Sequence, residues 1–269
     1  MGGAGEVTAG AAAASVNWSA DPTPRALFDV GNSRIKAAVF DGELWRCTAC
    51  ASPNAAWLRA TLGALPPQRL AVSSVHPHRL SRLLLALSKR KLPAPRAFAS
   101  NGGLFRLGVL KSGVDTPEST GADRILGAFA ARRRAAGGAV LMVGCGTAMT
   151  VNVVDADGVF RGGAILPGLK MLADSLARNT AALPRVELTE WPTFPGASTA
   201  AALRAGIAAA AVGGLEKSIA LLQAAVGPAK LFLGGGDAEF FAPHFPRATV
   251  APHLVLEGLD LVAAEFPAP

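Results

Sequence analysis

DVGNSRIKAAVFDGELWR (29–46) and GCGTAMTVNVVDADGVFR (144–161) are two versions of one pattern. Each opens on a glycine-centred bend, Gly31 or Gly146, that closes on a small polar residue, Asn32 or Thr147. Each continues as an apolar, strand-like run and turns at Asp-Gly, Asp41-Gly42 or Asp157-Gly158. Each then enters a third run that carries an arginine, Arg46 or Arg161. Asp-Gly between two strand-like runs is a strong hairpin signal. The chain therefore starts a three-stranded meander twice, which predicts two half-similar domains.

The rest of the pattern fills in around these meanders. Strands are predicted near 26–30, 34–40, 43–48, 69–75 and 96–99, with helices near 53–63, 77–90 and from Gly121 to about 135. Ser52 and Pro53 are read as the cap and first turn of the first helix. Residues 100–118 read as a loop. The second half repeats the order: strands near 139–143, 148–154 and 158–163, helices near 168–178 and 199–226, strands near 231–235 and 247–250, and a last helix near 254–265. Hairpins followed by alternating helices and strands give an α/β chain with mixed sheets flanked by helices. The expected division is a flexible Gly/Ala-rich extension over 1–24, one domain over 25–136 and a second over 137–269, with a cleft between them.

Composition narrows the function classes. The chain has 269 residues, 51% of them hydrophobic and 17% charged, which excludes a disordered chain as a whole. Its net charge of +7 suits an anionic small molecule as well as nucleic acid, but the basic residues are scattered and aromatics are 6% with no tyrosine. No basic stripe interleaved with aromatics marks a nucleic-acid surface. The longest apolar stretch, 201–226, is interrupted by Arg204, Glu216 and Lys217, so no membrane span is expected. The cysteines are Cys47, Cys50 and Cys145. Cys47 and Cys50 have metal-ligand spacing without a second pair to complete a zinc site, and three cysteines point to a reducing cytoplasm rather than a disulfide framework. The four histidines sit in loops or at helix starts and receive no role.

Glycine at a bend lets the backbone approach an anion, and adjacent N–H, hydroxyl or amide groups donate to phosphate oxygens. Two such bends facing one another would grip a polyphosphate. Asp29, before the first bend, is suited to hold magnesium, usually through water. A third glycine-rich segment, LFLGGGDAEFF (231–241), follows a strand and precedes a helix, as a nucleoside floor would. Thr120-Gly-Ala-Asp123 also fits helix capping, where an acidic residue in the first turn is stabilised whether or not it reacts.

DVGNSRIK, GADRILGA, GTAMTVN, GGAILPGLKMLADSLARNTAALP and FLGGGDA together resemble the type III pantothenate kinases, within the acetate and sugar kinase, Hsc70 and actin superfamily. The resemblance covers about residues 25–262. It implies two ribonuclease H-like domains of the actin-like ATPase fold and ATP-dependent phosphorylation of pantothenate, the first step towards coenzyme A. It also implies a homodimer, magnesium and, in many members, potassium or ammonium. On the matching positions, Asp29, Gly31 and Asn32 belong to the first phosphate motif, with Lys36 counted among the nucleotide-binding residues. Gly146, Thr147 and Ala148 form the second phosphate motif, and Gly234, Gly235 and Gly236 the adenosine motif. Gly121, Ala122, Asp123 and Arg124 form the pantothenate motif, with Asp123 as catalytic base and Arg124 pairing with the substrate carboxylate. Thr180 matches a threonine that contacts pantothenate from the partner subunit.

Two positions depart from the family. Gly144 stands where an Asp helps hold the monovalent cation in many members, which sets that requirement against the residue present. Val114 stands where the pantothenate loop carries a Tyr. These departures motivate the alternative to a kinase, a non-catalytic accessory protein that keeps the fold.

Overall fold

The computed structural model describes residues 18–63, 67–90, 92–99 and 102–266. These residues form two compact units, one ending at Ala130 and resuming at His253, the other spanning Ala131–Pro252.

In the first unit, β1 (Arg25–Val30), β2 (Ile35–Phe40) and β3 (Trp45–Cys50) form the antiparallel meander. Gly31 N–H donates to Arg34 O at 3.0 Å, closing the bend that joins β1 to β2. Helix α1 (Ala55–Leu62) leads into β4 (Arg69–Ser74), which lies parallel to β1. Helix α2 (Pro77–Ser88) leads into β5 (Arg96–Ala99), parallel to β4. The sheet order is β3-β2-β1-β4-β5. The central strand β1 has a neighbour on each side and is buried along its whole length: Ala26, Leu27, Phe28 and Val30 are apolar, while Arg25 and Asp29 are buried with hydrogen-bond partners. Phe28, Ile35, Leu58, Leu83 and Leu87 form the heart of this core. Burying each large apolar side chain stabilises the fold by about 1.5–3 kcal/mol.

The expected helix starts need one correction. Asn54, rather than Ser52, caps α1: its Oδ1 accepts from Trp57 N–H at 2.8 Å. At α2 the cap is His76, whose Nδ1 accepts from Arg79 N–H, with Pro77 following in the first turn. The 100–118 segment is not a plain loop. Its described part holds one turn of helix, α3 (Gly103–Arg106), a short strand, β6 (Lys111–Ser112), and a 3₁₀ turn at Pro117–Ser119. Helix α4 (Ala122–Ala135) follows, and the unit boundary falls inside it.

The second unit repeats the plan. β7 (Ala139–Cys145), β8 (Ala148–Val154) and β9 (Val159–Pro167) form its meander. Helices α5 (Leu169–Asn179) and α6 (Thr199–Val226) precede β10 (Ala229–Gly234), which lies parallel to β7. A single helical turn, α7 (Ala238–Phe241), and β11 (Thr249–Val250), parallel to β10, complete it. These strands run β9-β8-β7-β10-β11, the same 3-2-1-4-5 order as the first unit. The α/β class with two mixed sheets flanked by helices, and the duplication behind it, are as expected.

β9 is longer than predicted: it stays paired with β8 as far as Pro167, and the pairing is irregular at Val153/Val154, beside Gly162 and Gly163, both at positive φ. A Cβ on Gly163 would lie 1.7 Å from Val151 O, so only glycine lets the two strands meet there. Helix α6 is long and apolar enough to cross a membrane by length and composition alone. Ile207, Ala211, Val212, Leu215 and Ile219 on it pack into the core of the second unit, the environment of a buried helix in a folded domain.

Two boundaries differ from expectation. Helix α8 (Leu254–Glu265) belongs to the first unit, where it packs on β1, β2 and β4. Gly258 makes the close approach: a Cβ there would lie 2.1 Å from Leu126 O. Of the predicted extension, residues 1–17 lie outside the described residues, but 18–24 are packed on the first unit. Trp18 stacks on Trp45 at 3.9 Å, and Ser19 N–H donates to Asp260 on α8. Arg25 binds Asp260 through Nε at 2.6 Å and Nη2 at 3.0 Å, both side chains buried, under the rings of Phe40 and Trp45. A buried pair of this kind fixes the position of α8 more than it adds stability.

Cys47 and Cys50 are an odd number of residues apart on β3, so their side chains point to opposite faces. Burial pushes both thiols up to about 11. They are two strand residues rather than a ligand pair, and the described residues hold no cluster of three or more metal-ligating side chains.

Candidate active site

The first unit brings Asp29, Lys36, Asp123 and Arg124 together at the C-terminal end of β1. Asp29 stands opposite Lys36 on β2 and opposite Ser73 on β4. Ser73 Oγ donates to Asp29 Oδ1 at 2.9 Å, and Ser73 is wholly buried. Burial, helped by nearby Asp123, pushes the Asp29 carboxyl up to about 6 against the opposing pull of Lys36 and the Ser73 hydrogen bond.

Asp123 lies in the first turn of α4, and its Oδ1 accepts from the Arg124 N–H at 2.9 Å. Burial raises its carboxyl as well, with the Arg124 N–H, the Arg124 charge and Lys36 acting against the rise. The reciprocal capping box does not form, because the Thr120 N–H donates to Pro117 O instead. Gly121 leaves room for this geometry: a Cβ there would lie 2.6 Å from Asp123 Oδ1 and 3.5 Å from Val75, and the Asp123 carboxyl would have to shift. Ala122 is wholly buried, and Val114 is half-buried in the segment between β6 and the 3₁₀ turn.

The first bend has a different division of labour from the one expected. The Gly31 N–H is spent on Arg34 O, so glycine here closes the turn. Asn32 is exposed at the tip of the bend, as are Ser33 and Arg34.

The second unit gathers its own group. Gly146 and Thr147 form the two-residue link between β7 and β8, and Ala148 begins β8. Two other glycine segments close on this link. The Gly168 N–H donates to Thr147 O at 3.1 Å, and a Cβ on Gly168 would lie 2.2 Å from Gly146 O. The Asp237 N–H donates to Cys145 O at 3.2 Å, and a Cβ on Gly235 would lie 2.2 Å from that same oxygen. Gly234 ends β10, and a Cβ on Gly236 would meet nothing within 4 Å. The phosphate bend and the nucleoside floor are therefore one packed piece of backbone, with open space at Gly236. Thr180 caps α5 at its C-terminal end and donates through Oγ1 to Leu176 O; it is exposed.

A magnesium ion fits the residues of the first group. Asp29 is a buried carboxylate with one oxygen taken by Ser73 and no fixed cation bonded to it among the described residues, and magnesium needs only one or two carboxylates beside water and phosphate oxygens. A monovalent cation does not fit at Gly144. Thr150 is its cross-strand partner, and a Cβ on Gly144 would lie 2.8 Å from Thr150 Oγ1. Asn152, wholly buried, donates through Nδ2 to Thr150 Oγ1 at 3.1 Å and to Met142 O at 3.4 Å. The neutral Thr150 hydroxyl, bonded by the Asn152 amide, stands where a side chain at 144 would begin, with Met142 Cε 3.8 Å from the same point, so no carboxylate is offered there.

Ser73 stands outside the sequence motifs, and Gly168, within the GGAILPG motif, is given no site role by the sequence. Ser73 is legible there only as a polar end to the strand RLAVSSV, and Gly168 as the start of α5.

The cost of burying the Asp29 charge is measurable. A carboxyl whose folded pKa is near 6 keeps its proton where the unfolded chain has already lost it, so folding loses stability as pH rises from about 4 to about 6 and stays penalised above that. A rise of this size corresponds to about 3 kcal/mol. Asp29→Asn, without magnesium, is expected to unfold at higher denaturant than the parent at pH 8, with the gain vanishing by about pH 4. An equal midpoint at both pH values would reject the assigned environment.

The sequence profile of the type III pantothenate kinases matches residues 26–220. The chain is 37% identical over 246 residues to the type III pantothenate kinase of Alkalilimnicola ehrlichii, covering 89% of this chain and 97% of that protein. It is 35% identical over 255 residues to that of Janthinobacterium sp., with 89% and 97% covered. Among solved structures, a Baf family transcriptional activator from Campylobacter jejuni shares the fold, at 22% identity and a TM-score of 0.50 over 89% of this chain and 98% of that one. The repeated 3-2-1-4-5 sheets are those of the actin-like ATPase fold, and the chain belongs to the type III pantothenate kinase family.

Proposed function

We propose that this protein transfers the γ-phosphoryl group of ATP to the primary hydroxyl of pantothenate, giving 4'-phosphopantothenate and ADP. The observation that carries the reading is the grouping of Asp29, Lys36, Asp123 and Arg124 in one unit of a chain with this family's sequence. The hydroxyl oxygen forms the new bond to phosphorus as the bond to the β–γ bridging oxygen breaks, and the hydroxyl proton passes to the Asp123 carboxylate. Arg124, at the neighbouring position, is suited to pair with the pantothenate carboxylate in two-point fashion. Asp29 holds the magnesium ion, which draws charge from the phosphates when bound. Asn32, Thr147 and the backbone about Gly146 donate to phosphate oxygens, and Gly234–Gly236 line the nucleoside.

The protein acts as a cytoplasmic homodimer without nucleic-acid or membrane partners. Exposed Ile165 on β9, with Met171 and Leu176 on α5, supplies apolar surface for the second copy. Thr180, at the end of α5, addresses the partner's pantothenate in this reading.

The direct test is ADP release by purified protein in the presence and absence of pantothenate, with phosphopantothenate identified by mass. Pantothenate-independent ADP release, or none at all, would reject the reading. The neutral Thr150–Asn152 pair adds a second expectation for the same assay. Turnover in potassium or ammonium should match, within about twofold, turnover in a bulky organic cation. A tenfold stimulation by either ion would show that another part of the chain holds the cation.

A further inference from the structure

We propose that Ser73 is the positioning residue for Asp29: its hydroxyl occupies Oδ1 and thereby presents Oδ2 to the magnesium–nucleotide complex. The inference rests on the reading of Asp29 given above and assigns a task to a side chain outside every predicted motif.

Three observations carry it. Ser73 is wholly buried, in a strand hydrogen-bonded on both sides, to β1 at Asp29 and to β5 at Phe98. Its backbone therefore cannot drift. Its hydroxyl makes one hydrogen bond, to Asp29 Oδ1 at 2.9 Å, and caps no turn. The neighbouring Ser74 does the local structural work, accepting the His76 N–H through Oγ at 3.1 Å, while the Val75 N–H donates to Val30 O. A hydroxyl buried in a sheet is unfavourable unless it is hydrogen-bonded, and alanine would fill the same place in an apolar core. What distinguishes serine here is its partner. A carboxylate free to turn about its last torsion offers either oxygen to a cation; one held through Oδ1 offers Oδ2 in a fixed direction, which is how an outer hydrogen bond tunes a metal ligand.

Without Ser73, Asp29 keeps its place in the sheet between β2 and β4 but is no longer aimed. The loss should therefore appear in metal–nucleotide affinity and leave the chemical step largely intact. The test compares the parent with Ser73→Ala and Ser73→Cys, the second retaining the volume while nearly removing the donor. Manganese binding in the presence of a non-hydrolysable ATP analogue is read by electron paramagnetic resonance, independently of turnover. Both variants should bind the ion about tenfold more weakly, in line with the loss of one hydrogen bond to a charged group. KM for magnesium–ATP should rise by a similar factor, with kcat at saturation within about threefold of the parent.

Unchanged manganese affinity in the cysteine variant overturns the proposal, and so does a fall in kcat at unchanged KM. Should Ser73→Ala fail to fold, the cysteine variant alone decides. A parent that binds manganese with the analogue, shows the predicted loss in the variants, yet never phosphorylates pantothenate would overturn the substrate reading while leaving the role of Ser73 standing. A parent that binds no manganese with the nucleotide overturns both the site and the proposal.

Discussion

Asp123→Asn is expected to lower kcat for pantothenate phosphorylation by at least about a hundredfold, with KM for pantothenate changed by no more than a few-fold. The substitution separates the two tasks this residue could have. As a helix-start residue, Asp123 uses Oδ1 to accept the Arg124 N–H, and an asparagine oxygen accepts it equally well. The helix should therefore survive, and stability should not fall, because a buried charge has been removed. An amide cannot take the proton of the attacking hydroxyl. Loss of turnover with retained folding identifies the base; retained turnover returns Asp123 to the role of a first-turn residue. The pH profile adds a second reading. Burial raises the Asp123 carboxyl, as it does Asp29, so the parent should lose kcat/KM as pH falls and the two groups take up protons. In the asparagine variant the residual rate should lack the part of that acidic limb due to Asp123.

Much of the molecule is readable from the sequence because its signals are local. The bends at Gly31 and Gly146, the Asp-Gly turns and the alternation of helices and strands each sit within a few residues, and the two sheets follow from them. What escapes is non-local. Nothing within LVLEGLDLVAAE (254–265) tells that Gly258 meets Leu126 or that Asp260 meets Arg25, so chain order alone puts α8 in the wrong unit. Ser73 becomes a site residue only through its register with Asp29 across a parallel strand pair that two further strands and a helix separate in sequence. Gly31 looks like a phosphate donor by its type; the hydrogen bond to Arg34 that consumes its N–H depends on the turn's geometry. At Gly144 the departure from the family is visible in the sequence, but its accommodation by Thr150 and Asn152 depends on the cross-strand pairing. Nothing in the structure explains why Val114 replaces the family's tyrosine.

The adenosine motif gives the largest expected effect on stability, and its three glycines should behave differently. Gly235 has φ of +99°, a conformation that side chains rarely adopt, and its Cβ would lie 2.2 Å from Cys145 O, 2.8 Å from Cys145 C and 2.9 Å from Cys145 N. The obstacle is backbone at the end of the central strand β7, so it cannot rotate away as a side chain would. The Gly235 N–H is also bound to Pro252 O, and Asp237 N–H to Cys145 O, which ties both sides of the bend. Strain and steric overlap act together, and Gly235→Ala is expected to destabilise the second unit by more than about 4 kcal/mol. Gly236→Ala is the control: its Cβ meets nothing within 4 Å, and a change of about 0.5 kcal/mol or less is expected. Chemical denaturation followed by circular dichroism measures both. The pair also reads function, because the space beside Gly236 is where the nucleoside is assigned. A folded Gly236→Ala protein with raised KM for ATP and unchanged KM for pantothenate supports that assignment, whereas a Gly235→Ala protein as stable as its parent would mean that Cys145 and the bend do not meet as described.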